Sequence, residues 1–259
     1  MNNDEIKFYQ QEQHFWSAIC QETMQFGQAT TAYFSELPIP AFSFIYLHAN
    51  AELSDFVAAN HQFTIKNKPY LLVVHENTLQ QVVPLITEHR YQSDGETTAM
   101  ILAKADIIKN ADSTIPEGYT IMQCNQNLTD WAQPLISAFG SQDNDEEEDL
   151  TVINEYIRYH QRALDRNVQL EHYVLLKDAQ PVCSLTLTVN GKMARLDDIG
   201  TETQYQRKGL ATHLIKYALN ECKNKGIESC FLEASSDGLS IYKKLGFTSL
   251  FQYHCFIVE

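Results

Sequence analysis

Positive charge is scarce in this chain: 19 lysines and arginines stand against 33 aspartates and glutamates, a net charge of −14. Binding the phosphate backbone of a nucleic acid needs broad basic surface, so nucleic acid is disfavoured as the main partner. No apolar run approaches the length of a membrane span, and no membrane partner is expected. The first residues, MNNDEIKFYQ, are polar and lack the apolar region of a signal peptide. The six cysteines (Cys20, Cys124, Cys183, Cys222, Cys230 and Cys255) have no C-x-x-C spacing. Neither a metal site nor a disulfide framework is expected from them. Reduced, buried thiols in a cytoplasmic protein are. Repeats of the solenoid kind are also missing.

What remains is ordinary globular material. Apolar residues make up 44% of 259, enough for a sizeable core in one large domain or two of usual size. Apolar spacing predicts a helix over residues 4–34, stopped by Leu37-Pro38-Ile39-Pro40. Strands are expected at Phe42–Leu47 and Tyr70–Val74, and at Thr98–Ala103 after a Ser93-Asp94-Gly95 turn. Helices are expected at Glu52–Asn60 and, despite Pro84, at Thr78–His89. Ser113 to Gly118 reads as a connector, which divides the chain into 1–115 and 116–259.

The second part begins with a strand at Tyr119–Cys124 and a helix at Asp130–Phe139. The acidic run Asp143–Asp149 fits a solvated loop or a helix start, where carboxylates suit the dipole. The alternative is a loop at the mouth of a site for a cationic acceptor. A helix at Val152–Asp165 precedes strands at Glu171–Lys177, Pro181–Val189 and Lys192–Gly200, the last two joined by an Asn190-Gly191 hairpin. Lys208–Lys225 is an amphipathic helix closed by Gly226. A strand at Ser229–Glu233, a helix at Ser236–Leu245 and a strand at Leu250–Val258 complete the order.

One stretch gathers cations and small residues at a helix start: QRKGLAT, Gln206 to Thr212. A helix begins with unpaired N–H groups and partial positive charge, and anions bind there. Gly209 removes a side chain at the point of closest approach, and Ala211 keeps the first turn slim. Arg207 and Lys208 add charge, and Thr212 adds a hydroxyl. The plain alternative is an ordinary strand-to-helix turn with solvated cations.

The order of elements over 116–259, with Gln206-x-x-Gly209-x-Ala211 after the third antiparallel strand, resembles the GNAT superfamily of acyl-CoA N-acyltransferases. Its hallmark is Gln or Arg-x-x-Gly-x-Gly or Ala. A second stretch, SSDGLSIYKKLGF (Ser235–Phe247), is similar to the family's following helix, with a tyrosine just before Leu-Gly-Phe. The fold class expected is therefore α/β with a mixed sheet (α+β), GNAT-like over 116–259. The strand–helix alternation of 1–115 permits a degenerate copy of the same fold, without a glycine turn of its own.

The resemblance implies acetyl-CoA (coenzyme A) as co-substrate and no metal. The pyrophosphate would sit on the backbone of Arg207, Lys208, Gly209, Leu210, Ala211 and Thr212, after Gln206. The pantetheine arm would pair like a strand with Ile199, Gly200 and Thr201, where that strand splays from the next. A bulge near Asp198–Gly200 would aim N–H groups at the thioester carbonyl. Ser235 lies near the family's pantetheine-contacting Asn; as a serine it can instead cap the helix. Tyr242 matches the tyrosine that protonates the departing thiolate.

For the general base, Asp197 and Asp198 are adjacent strand residues and so face opposite ways. Either can serve, Glu233 is a further candidate, and strand carboxylates can also be purely structural. His172 and His213 read as packing or surface histidines. The activity implied is acetyl transfer to a primary amine, small molecule or protein, through a ternary complex. The acidic balance favours a cationic amine. The rival is a non-catalytic module that senses or merely binds acyl-CoA. Both monomer and homodimer fit this expectation.

Overall fold

The computed structural model describes residues 2–37, 39–112, 114–139 and 146–258. In chain order its elements begin α1 (Asn3–Ile19), β1 (Glu22–Phe26), β2 (Thr30–Phe34), β3 (Phe44–Leu47), α2 (Leu53–Lys66), β4 (Leu71–His75), α3 (Glu76–Glu88) and β5 (Tyr91–Ala103). They continue with α4 (Lys104–Asn110), β6 (Tyr119–Gln123), α5 (Leu128–Phe139), α6 (Glu146–Asp165), β7 (Leu170–Lys177), β8 (Gln180–Asn190) and β9 (Met193–Thr201). The last are α7 (Leu210–Asn224), β10 (Ser229–Ser235), α8 (Leu239–Lys244) and β11 (Thr248–Val258).

The long helix expected over 4–34 is not formed. Asn2 opens α1 with a reciprocal cap, accepting from the Asp4 and Glu5 amides while the Glu5 carboxylate accepts from its own. The helix ends at Ile19, and 22–34 form an antiparallel hairpin instead. Gly27 takes a positive φ of 56° in its turn, and the β-branched Thr30 and Thr31 suit a strand. The turn expected at Ser93-Asp94-Gly95 lies inside β5, and α4 was not anticipated. Asp143 to Asp145 of the acidic run lie outside the described residues, while Glu146–Asp149 open α6.

The chain folds into two compact units that are not contiguous in sequence. Unit 1 holds Met1–Met100, Glu233–Ser240 and Ser249–Glu259; unit 2 holds Ile101–Leu232 and Ile241–Thr248. A single cut between 115 and 116 does not describe this partition. The reason is long-range pairing: β11, at the end of the chain, runs antiparallel to β4, with Tyr253 opposite His75 and Cys255 opposite Val73.

In unit 1 the strand order is β1-β2-β3-β4-β11-β5. Strands β1, β2 and β3 are antiparallel neighbours, and α2 carries the chain over to β4, parallel to β3. Phe56, Ala59 and Phe63 recur at helical spacing on α2 and are buried, Phe63 stacking on Phe34 with ring centroids 4.2 Å apart. Fully burying a phenylalanine stabilises by about 1.5–3 kcal/mol, so this face fixes α2 on the sheet.

In unit 2 the order is β10-β9-β8-β7-β6. Strands β6 to β9 are antiparallel neighbours, and α7 crosses over to β10, parallel to β9. Leu210, Leu214, Ile215, Ala218, Leu219 and Cys222 form the buried stripe of α7. Asn190 and Met193 close the β8–β9 hairpin as expected, with Gly191 at φ 62°. All six cysteines are buried, and none forms a disulfide.

Candidate active site

The C-terminal half of strand β9 is irregular along both of its edges. Against β8 its register runs from Asn190↔Met193 to Thr186↔Asp197, then resumes at Ser184↔Gly200. One residue of β8 therefore faces two of β9, Asp198 and Ile199: a β-bulge. The left-handed residue in it is Asp198, with φ 53°, rather than Gly200. On the other edge, β9 pairs with β10 from Met193↔Ser229 to Arg195↔Phe231. Beyond Arg195, among the described strands, β9 is paired with β8 alone and continues to Thr201. This is the splay expected of the sequence, and it leaves the edge at Ile199, Gly200 and Thr201 open to another strand-like group.

The two aspartates do face opposite ways, and their surroundings differ. Asp197 shares a face with Arg195, whose buried guanidinium Nε donates to Asp197 Oδ1 at 2.8 Å and Oδ2 at 3.1 Å. That pairing engages both Asp197 oxygens with one guanidinium. Asp198 points toward α6, where the Tyr156 hydroxyl donates to its Oδ1 at 2.6 Å and His160 Nε2 stands 3.7 Å from its Oδ2. Burial, reinforced by the neighbouring Asp197 charge, pushes the Asp198 carboxyl up to about 7, against the lowering effect of the Tyr156 and Thr186 hydroxyls and of Arg195. A carboxyl balanced near neutrality can both take and give a proton.

Past Thr201 the chain makes a short 3₁₀ turn, Thr203–Tyr205, and enters the glycine turn. The Gln206 side chain donates from Nε2 to the Thr201 carbonyl at 3.2 Å, tying the turn to the end of β9. Arg207 and Gly209 take positive φ of 60° and 78°. A side chain at Gly209 would meet nothing within 4 Å, so the backbone angle, not crowding, favours glycine here. Gly209 is the N-cap of α7, no side chain caps the helix, and its first turn holds no acidic residue. Arg207 and Lys208 are exposed, and Leu210 anchors the turn in the core. Ala211 and Thr212 are half-buried just behind it. A cavity of about 360 Å³ adjoins this end of β9, lined by Ile136, Ser137, Pro181, Glu202 and Tyr205 among others.

Tyr242 stands on α8 in the same unit. Burial raises its hydroxyl pKa, helped by the negative charge of Asp197, so it holds its proton at neutral pH. Its ring meets Phe247 edge-on at 6.0 Å. Ser235 and Glu233 belong to unit 1. Ser235 Oγ accepts from the Gly238 amide at 3.4 Å, the turn-forming role open to a serine there. The Glu233 carboxylate accepts from Thr97 Oγ1 in that unit.

Sequence reasoning missed Tyr156, His160 and the use of His172. A signal was present: Tyr156 and His160 are four apart on a helix and so share a face. His172 is no surface residue; it is fully buried and bonded to His160 at 2.8 Å.

Comparison with known proteins agrees with this frame. Residues 141–254 match the model of the acetyltransferase (GNAT) domain. No curated protein matches the sequence. Among solved structures, a GCN5-related N-acetyltransferase from Kribbella flavida aligns over 100% of this chain and 96% of its own, with TM-score 0.64 at 13% identity. A conserved protein of unknown function from Staphylococcus epidermidis aligns over 93% and 95%, with TM-score 0.66 at 15% identity. A tandem GNAT protein of the clavulanic acid pathway aligns over 88% and 78%, with TM-score 0.59 at 11% identity. At such identities the likeness is one of fold, and it extends beyond the C-terminal part. No helix among the described residues is long and apolar enough to cross a membrane. The residues that match the acetyltransferase (GNAT) domain, 141–254, contain both the splayed β9 and the bare glycine-led helix start behind it.

Proposed function

We propose that this protein transfers an acetyl group from acetyl-CoA to a primary amine within a ternary complex. The observation that carries it is the pairing, in one unit, of an uncapped helix start with a bulged, half-unpaired strand. The helix start fits a pyrophosphate: the N–H groups of Leu210, Ala211 and Thr212 lack helix partners, and Arg207 and Lys208 supply charge. The open edge at Ile199–Thr201 fits an amide-bearing arm that adds itself as a strand.

The chemistry then needs two proton transfers. The amine nitrogen attacks the thioester carbon, and its proton passes to the Asp198 carboxylate. The carbon–sulfur bond breaks, and the sulfur takes the Tyr242 hydroxyl proton. The products are the N-acetyl amine and the free thiol of coenzyme A. The net charge of −14 favours a cationic amine, which gives one proton to solvent before it attacks as the neutral amine.

The test is thiol release from acetyl-CoA with a panel of small amines and peptides. Tyr242→Phe keeps the ring and removes the proton donor, so kcat is expected to fall roughly 100-fold with coenzyme A affinity unchanged. Coenzyme A binding without thiol release for any amine would make the domain a sensing module instead.

A further inference from the structure

Behind Asp198 lies a chain of buried polar groups that runs from β9 through α6 and β7 to the loop after β6. Its far end fixes its direction. The Asn125 amide nitrogen donates to the Leu170 carbonyl at 2.8 Å, and its Oδ1 accepts from the His172 backbone N–H at 2.8 Å. Oδ1 therefore faces His172 Nδ1, 3.1 Å away, and that nitrogen must carry the hydrogen. A neutral His172 then has a lone pair on Nε2, and His160 Nδ1, at 2.8 Å, must donate to it. Both imidazoles are fully buried, with Trp131 packed over them at ring distances of 4.5 and 4.8 Å. Burial holds both well toward the neutral form, His172 down to about 3. With Nδ1 protonated and the ring neutral, His160 presents a lone pair from Nε2 on the side of Asp198.

We propose that His160, oriented by His172 and Asn125, is a positioning residue that keeps an acceptor against Asp198, so that a proton taken from the amine is held as Asp198 O–H directed at His160 Nε2. This rests on the assignment of Asp198 as proton acceptor in the acetyl transfer above. No covalent change is involved: one proton leaves the amine nitrogen, stays on Asp198 Oδ2 while the thioester collapses, and departs to solvent after product release. The other groups that face Asp198 are Tyr156 from α6 and Asp197 and Arg195 from its own strand. The Thr186 hydroxyl of β8 faces Asp198 as well and, like Tyr156, favours the ionised carboxylate. Tyr156 donates to Oδ1, which leaves Oδ2 as the oxygen for the proton. His160 Nε2 stands 3.7 Å from Oδ2, and protonation of Asp198 is expected to shorten that separation.

Two measurements test it. Nitrogen NMR of the wild-type protein with labelled histidine reads the tautomer without any assay. His160 is expected to show a protonated Nδ1 and an unprotonated Nε2, and the Nε2 signal is expected to move with pH in wild type and not in Asp198→Asn. The opposite tautomer, or a pH response unchanged by Asp198→Asn, overturns the proposal. The second measurement is the pH profile of kcat/KM. His160→Phe removes the acceptor that favours protonated Asp198, so the acid limb is expected to move to lower pH by roughly one unit and kcat to fall roughly tenfold. His160→Gln can donate to His172 and present its oxygen to Asp198, and should restore most of both. An acid limb that stays put in the Phe variant overturns the proposal. Absence of acetyl transfer in wild type would sink the assigned activity alone, because the NMR result stands without it.

Discussion

The two units contain the same crossover, and comparing them separates scaffold from site. In unit 1, β3 leads through α2 to the parallel β4; in unit 2, β9 leads through α7 to the parallel β10. Each loop contains left-handed backbone, at Asn50 in one and at Arg207 and Gly209 in the other. In unit 1 the helix opens on Glu52 as N-cap with Asp55 in its first turn, so the helix dipole meets the chain's own carboxylates. In unit 2 the helix opens on a glycine, with no acidic residue in the first turn and two cations before it. The β2–β3 register is regular from Thr30↔Leu47 to Tyr33↔Phe44, whereas β9 is bulged.

Each unit also buries a carboxylate with a tyrosine and a histidine. Glu12 is closed on both oxygens, by His48 Nε2 at 2.7 Å and by the Tyr253 hydroxyl at 2.8 Å. Asp198 is closed on one oxygen by Tyr156, while His160 stands off at 3.7 Å. The closed cluster is a brace; the looser one leaves room for a proton to arrive.

The strongest break in this comparison would come from ligand stoichiometry. Coenzyme A is expected to bind once per chain by calorimetry. Gly209→Glu should weaken it at least about 1000-fold by placing a charge where phosphate must lie, and the positive φ adds strain of about 1–2 kcal/mol. Two sites per chain, or unchanged affinity in the variant, would dissolve the distinction between the two helix starts.

Next in size is the brace. Glu12→Ala leaves His48 and Tyr253 unpaired in the core of unit 1, and should cost about 3–5 kcal/mol in urea unfolding. Coenzyme A affinity should not change at saturating fold. A loss below 1 kcal/mol would mean the cluster is not a brace.

The smallest effect is a slope. Asp198 has its folded pKa raised to about 7 from 3.8, so its contribution to stability is full below the lower value and is lost as pH rises through the upper one. His160 and His172 are shifted down, so theirs is full above the ordinary histidine value and is lost as pH falls. Asp198→Asn removes the opposing carboxyl and should steepen the rise of stability with pH between about 4 and 7, by up to about 1.4 kcal/mol per pH unit. Parallel curves for variant and wild type would return Asp198 to an ordinary carboxylate.

Much of this was legible in the sequence, and for a local reason. The glycine turn, the Asn190-Gly191 hairpin and the buried stripe of α7 depend on backbone preferences within a few residues, and each formed where the residues demanded it. Strand alternation led to the expectation that Asp197 and Asp198 face different surroundings, but Asp198 is left-handed and lies in the bulge. Which of them meets Arg195 and which meets α6 depended on the bulge and on packing between segments some 40 residues apart in sequence, Tyr156 with Asp198. The helix expected over 4–34 failed because its apolar residues alone do not register that Gly27 and two threonines favour a hairpin. Only the tertiary structure joined β11 to β4, set His160 against His172, and gave the end of the chain to the unit that begins it. Those contacts are made by residues remote in sequence, and no local preference encodes them.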